Sequence, residues 1–122
     1  AQRCQAVTAH LNRLMYNLFW DQRGQGAHGV WELSCYQPNR QAILQDPATL
    51  AALNNVLIPP EGEGILRDHT LFATECAAGA VWMLARDSDR ARVTLLENGV
   101  LEALILLLQK LLAIRLSSEE SQ

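Results

Sequence analysis

Three histidines, His10, His28 and His69, and three cysteines, Cys4, Cys35 and Cys76, are the side chains best suited to nucleophilic or metal chemistry. Their spacing serves neither. His28 and Cys35 stand seven residues apart on one helical pattern. That is two turns, about 10 Å along an axis, which exceeds the hydrogen-bond reach of a Cys–His pair. Asp68 and His69 are neighbours in sequence, and adjacent helical residues do not face each other. His69 therefore reads as an exposed residue near a helix start. No CxxC pair, GxSxG, HExxH, P-loop or dinucleotide fingerprint occurs. Gly24-Gln25-Gly26 and Gly62-Glu63-Gly64 are lone GxG pairs. The second carries Glu61 and Glu63, which repel phosphate and read as solvated loop charges. The expectation is a non-enzyme with no catalytic residue, no metal and no cofactor.

The composition bounds the rest. The 122 residues are 49% hydrophobic and 19% charged, a balance that suits one folded domain. A net charge of −3 disfavours a nucleic-acid partner or a polybasic membrane surface, because both need a basic face. Three widely spaced cysteines form no disulfide framework. Cys35 and Cys76, among small apolar neighbours, read as buried free thiols, which fits a cytoplasmic or nuclear setting. The longest apolar stretch, 101–114, is interrupted by Glu102, Gln109 and Lys110 and is too short to span a bilayer. With no initiating Met and no leader pattern, the chain reads as part of a longer one.

Helical periodicity fills the sequence, and no segment alternates with period two. The pattern predicts a helix over about 3–19, a turn at Asp21–Gly26, and a second helix from about 27 to 36 stopped by Pro38. Asn39 reads as the cap of a short helix to Leu44. Asp46-Pro47 opens the helix of Leu50, Leu53 and Leu57, since Asp caps and Pro fits the first turn. Pro59 to Gly64 is a loop. Further helices are predicted over about 65–86, 90–97 (capped by Ser88 or Asp89) and 100–116, followed by a polar, frayed tail over 117–122.

Three leucine triplets share one spacing: Leu11/Leu14/Leu18, Leu50/Leu53/Leu57 and Leu101/Leu104/Leu108. Trp31 and Trp82 each precede the next triplet by 19 residues, and an insertion of about a dozen residues near 58–68 brings them into step with the two preceding triplets as well. The run Ala80-Val81-Trp82-x-Leu84-Ala85, then Asp89-Arg90, then Asn98-Gly99-Val100-Leu101-x-x-Leu104-x-x-Leu107-Leu108, resembles an armadillo repeat. Val30-Trp31-x-Leu33-Ser34, Asn39-Arg40, Ile43 and Leu50-x-x-Leu53 form a poorer copy. The resemblance covers most of 7–112, and HEAT-type solenoids share a looser version.

The resemblance implies an all-α, right-handed superhelix of about two and a half repeats, part of a longer array. Its divisions are a partial repeat over 1–36, a repeat over 37–86 with the insertion, a partial repeat over 87–116, and the tail. It also implies that the Trp31 and Trp82 helices line a groove, whose candidate residues are His28, Trp31 and Cys35 in one unit and Glu75, Trp82 and Arg86 in the next. In importin-α-type members an asparagine follows the groove tryptophan by four residues and helps clamp basic peptides. Those positions here are Cys35 and Arg86, so that activity is not expected. Arg86 suits an acidic or phosphorylated segment.

The last helix reads as apolar nearly all round, hence buried on several sides, yet no further repeat covers it. Further repeats, a partner or self-association would do so. Tyr16, Phe19 and Trp20 pose the same question at the first helix. The expected function is a non-catalytic interaction or scaffold module. The alternatives are a purely structural part of a larger assembly, such as a cytoskeletal or ciliary one, and a small all-α enzyme or regulatory domain whose site is shared with another chain.

Overall fold

Capping chemistry sets several of the helix boundaries. Asp46 accepts a hydrogen bond from the Ala48 amide at 3.2 Å and from the Thr49 hydroxyl at 2.7 Å, which starts a helix at Pro47. Ser88 accepts from the Ala91 amide at 3.0 Å and starts another. Gly99, at φ +82°, takes the left-handed conformation that ends it and begins the last. The computed structural model describes residues 2–62 and 64–120; Glu63 and the end of the predicted tail lie outside them. Its helices are α1 (Gln2–Met15), α2 (Trp20–Ser34), α3 (Gln37–Leu44), α4 (Pro47–Leu57), α5 (Asp68–Leu84), α6 (Asp89–Glu97) and α7 (Val100–Glu120). A 3-10 turn, Gly64–Leu66, precedes α5. The protein is all-α, with no strand among the described residues.

Packing has a step of three helices. α1 packs on α4 and α4 on α7; α2 packs on α5, and α3 on α6. Asparagines tie the first series together. Asn12 donates to the Thr49 hydroxyl at 3.1 Å, Asn55 to the Met15 carbonyl at 3.1 Å, and Asn54 to the Asn98 carbonyl at 2.8 Å. One core runs through the stack and includes Met15, Val30, Ile43, Leu50, Leu53, Leu57, Ile65 and Leu84.

The structure corrects several expectations. Asp21–Gly26 is no turn: α2 begins at Trp20 and runs straight through it, while the break falls at 16–19. There the Arg23 side chain donates to the Asn17 carbonyl at 2.6 Å. The glycines serve close packing instead. A Cβ on Gly26 would lie 2.7 Å from the Leu11 carbonyl oxygen, and one on Gly24 would lie 2.9 Å from the Phe72 ring. Pro38 lies in the first turn of α3, which starts at Gln37 after Tyr36 instead of at Asn39, because a proline there forfeits no helical hydrogen bond. Residues 117–120 continue α7. Cys35 is exposed, since it follows the last turn of α2 on the outer side; Cys4 and Cys76 are buried. Trp20 is half-buried under the Arg23 guanidinium, 4.4 Å from the ring.

α7 departs furthest from expectation. Only Val100, Ala103 and Leu107 form a buried stripe, whereas Leu101, Ile105, Leu106, Leu108, Leu111, Leu112 and Leu116 are exposed. α4 and α6 pack on α7, and among the described residues no other helix covers the side that carries these exposed leucines to a comparable extent.

Candidate functional site

α2 and α5 lie side by side and run in the same direction. Gly24 meets Phe72 and Ala73, His28 stacks on Phe72 with ring centroids 6.0 Å apart, and Trp31 rests on Gly79. The outward stripe of α2 is Asp21, Gln25, His28, Glu32 and Cys35, all exposed and at helical spacing. The matching stripe of α5 is Asp68, Phe72, Glu75 and Trp82, continued past the helix end by Arg86. Together they make a shallow two-helix face.

Of the sequence candidates, His28, Glu75, Trp82 and Arg86 are exposed on this face, with Cys35 at its edge. The two tryptophans differ. Trp31 is partly buried with its ring on Gly79, whereas Trp82 is 72% exposed. His28 Nδ1 lies 3.1 Å from Glu32 Oε1, one turn on. The Cys35 thiol donates to the Trp31 carbonyl at 3.4 Å, the ordinary fate of a helix-end cysteine. Sequence reasoning missed Glu32 and Phe72. The i, i+4 step from His28 could have found Glu32. Phe72 packs its ring over Gly24 and remains 48% exposed.

Asp21, Glu32, Asp68 and Glu75 set four carboxylates on the face against the single guanidinium of Arg86. Behind it, burial first and the Glu75 charge second push the Cys76 thiol up to about 11, so it stays protonated and inert at neutral pH. Below the end of α5, Arg40 is buried and forms a fork on Asp87, with Nε to Oδ2 at 2.7 Å and Nη2 to Oδ1 at 3.1 Å. Its Nη1 donates to the Ser34 carbonyl at 2.9 Å, so one side chain ties α2, α3 and the α5–α6 junction. These hydrogen bonds hold the Asp87 carboxyl below its usual range.

His28 and Glu32 are 46% and 69% exposed, so their pair is open to water. A cavity of about 600 Å³ is lined by Trp20, Pro60, Glu61, Gly64, Arg67 and Thr70, and contains no histidine. Among the described residues, no three His, Cys, Asp or Glu side chains gather as metal ligands do, and no helix is long and apolar enough to cross a membrane.

No protein-family model, curated protein or solved structure matches this chain. Its functional reading therefore rests on the face and on the packing that builds it.

Proposed function

We propose that this chain is a non-catalytic protein-interaction module, a stack of armadillo-like units that holds a partner segment along the α2–α5 face. The supporting observation is the face itself: two parallel helices with aromatic rings and four carboxylates, open along their length. The three-helix step, with short α3 and α6 each leading into a longer helix, agrees with repeated units. Such a face grips an extended or helical segment over many small contacts, while exposed aromatic rings supply most of the affinity.

The charge balance favours a segment with basic side chains. Lysine or arginine stems would lie over Phe72 and Trp82, with their charges near Glu32 and Glu75. The Arg86 end suits an acidic residue of the same segment. Free thiols agree with a cytoplasmic or nuclear protein, and a net negative charge with a partner other than nucleic acid. The uncovered side of α7 supports a second reading, in which the chain is a building block of a larger assembly.

The test is selection of peptides from a random library on the immobilised chain, with counter-selection on Glu32→Lys/Glu75→Lys. Enrichment of basic, aromatic-containing peptides that the variant fails to retain supports the reading. Failure to enrich, or equal retention by the variant, refutes it.

A further inference from the structure

A shift of 51 residues carries Leu50, Leu53 and Leu57 onto Leu101, Leu104 and Leu108, and Trp31 onto Trp82. Burial confirms that this shift relates equivalent places. Thr49, Ala52 and Val56 are fully buried, and their counterparts Val100, Ala103 and Leu107 are buried too, at 2%, 4% and 8% exposure. The leucine stripe behaves differently. Leu50, Leu53 and Leu57 have no exposure, whereas Leu101 and Leu108 are 46% and 57% exposed.

The element that separates the two cases is α5, which packs on both α2 and α4. It brings Ala73, Ala77, Ala80 and Leu84 into the core, and its Gly79 receives the Trp31 ring. One unit on, the corresponding place is an open groove of about 300 Å³, apolar but for Arg92 and lined chiefly by Val81, Ala85, Leu95, Val100, Leu101 and Leu104. Beside it Trp82 stands exposed where its counterpart Trp31 is covered by α5.

A cation also stands one residue from the place the shift gives, since it carries Arg40 onto Ala91, next to Arg92. Arg40 donates to the last-turn carbonyl of α2 at Ser34 and to Asp87, three residues past Leu84. Arg92 donates to the counterpart carbonyl, at Ala85, at 2.7 Å. Its remaining partner is Asp89 of its own helix at 2.6 Å, a pair open to water. Arg92 thus holds a carboxylate of its own helix where Arg40 holds one from the next unit, and that water-exposed pair can be exchanged for a partner's carboxylate.

We propose that the groove between α5, α6 and α7 is a docking site for an α-helix supplied by a protein partner. That helix carries α5's pattern: small residues at the spacing of Ala73, Ala77 and Ala80 with glycine opposite Trp82, then a large apolar residue, and an acidic residue three positions later. The groove is continuous with the α2–α5 and α4–α5 interfaces, and Arg92 supplies the charge complement. The proposal goes beyond the α2–α5 face and shares only Trp82 with it.

The test uses the full chain and a synthetic peptide of its own residues 68–89, with Trp82→Phe to silence fluorescence and a helix-fixing hydrocarbon link between positions 71 and 75 on its outer face. Saturable binding, read by anisotropy of a labelled peptide, should shift the chain's tryptophan emission to the blue, and the chain variant Trp82→Phe should lose that shift. Leu101→Glu should weaken binding by about tenfold or more, since it sets a charge in a desolvated contact. Arg92→Ala in the chain and Asp87→Asn in the peptide should each weaken binding, and the two together little more than either alone. Glu32→Lys, on the other face, should bind the peptide as the native chain does, so that failure of the α2–α5 reading and failure of this one are separable. Absence of saturable binding, or binding that Leu101→Glu leaves unchanged, overturns the proposal. Dimerisation of the chain alone that Leu101→Glu abolishes, without peptide binding, overturns it in favour of a second copy.

Discussion

Trp31 lies flat on the backbone of Gly79, so closely that a Cβ at Gly79 would fall 2.5 Å from Trp31 Cε2. The contact sets the spacing of α2 and α5, and hence the width of the proposed binding face. Gly79→Ala gains about 1 kcal/mol of helix propensity but forces a rigid indole out of place, at about 1–3 kcal/mol. Urea denaturation should show a net loss of about 1 kcal/mol, set by those two opposing effects. A stability gain would mean that the ring yields without cost and does not set the spacing.

The two tryptophans should part in the same assay. Trp31→Ala leaves a void over Gly79 and should cost about 2–3 kcal/mol, toward the lower end for a large aromatic because Trp31 is only partly buried. Trp82→Ala, at a 72% exposed position, should change stability by no more than about 0.5 kcal/mol. Equal losses would contradict the distinct environments assigned to them.

Arg40 and Asp87 make the stack sensitive to acid. The folded Asp87 carboxyl is held below its ordinary value of 3.8, first by the Arg40 hydrogen bonds, so the unfolded chain takes up its proton more readily. Its contribution is therefore full above the ordinary carboxyl value and fades as pH falls through the folded one. Urea titrations at falling pH should show a drop below about pH 4 that Asp87→Asn reduces. At neutral pH, Arg40→Met strands the buried Ser34 carbonyl acceptor and should cost about 1–3 kcal/mol. An unchanged acid profile in Asp87→Asn would remove the pair from this role.

Most of the architecture was legible because the signals were local. Asp46-Pro47, Ser88 and Asn98-Gly99 are helix-end chemistry that depends little on the tertiary setting. Gly24 and Gly26 misled, since a glycine needed for a turn and one needed for close approach of helices look alike until the neighbouring helix is placed. The leucine triplets marked helices but not their burial: Leu53 is enclosed, whereas Leu101 is open, because α5 packs in front of α4. Of the site, Trp82, Glu75 and His28 could be found by spacing. The role of Trp31 could not, because it depends on which helix lies opposite.

Thiol labelling offers an independent check on the packing. Cys76 is buried with its thiol pushed up to about 11, and burial raises Cys4 as well; Cys35 is exposed. Iodoacetamide under native conditions at neutral pH should label Cys35 fast, and Cys4 and Cys76 only at the rate of opening. Since unfolding returns Cys76 to an ordinary value of 9.0, stability should also decline as pH rises above it. Fast labelling of all three thiols would show that the stack is open.

The central claim concerns the α2–α5 face, and its most direct test is calorimetric titration of a peptide selected on the native chain. The native protein and Glu32→Lys/Glu75→Lys should be compared at matched helicity by circular dichroism. The account predicts at least about tenfold weaker binding by the variant, because two like charges then oppose the basic segment at the contact. Equal affinity for both proteins would contradict it and move the working surface off α2 and α5.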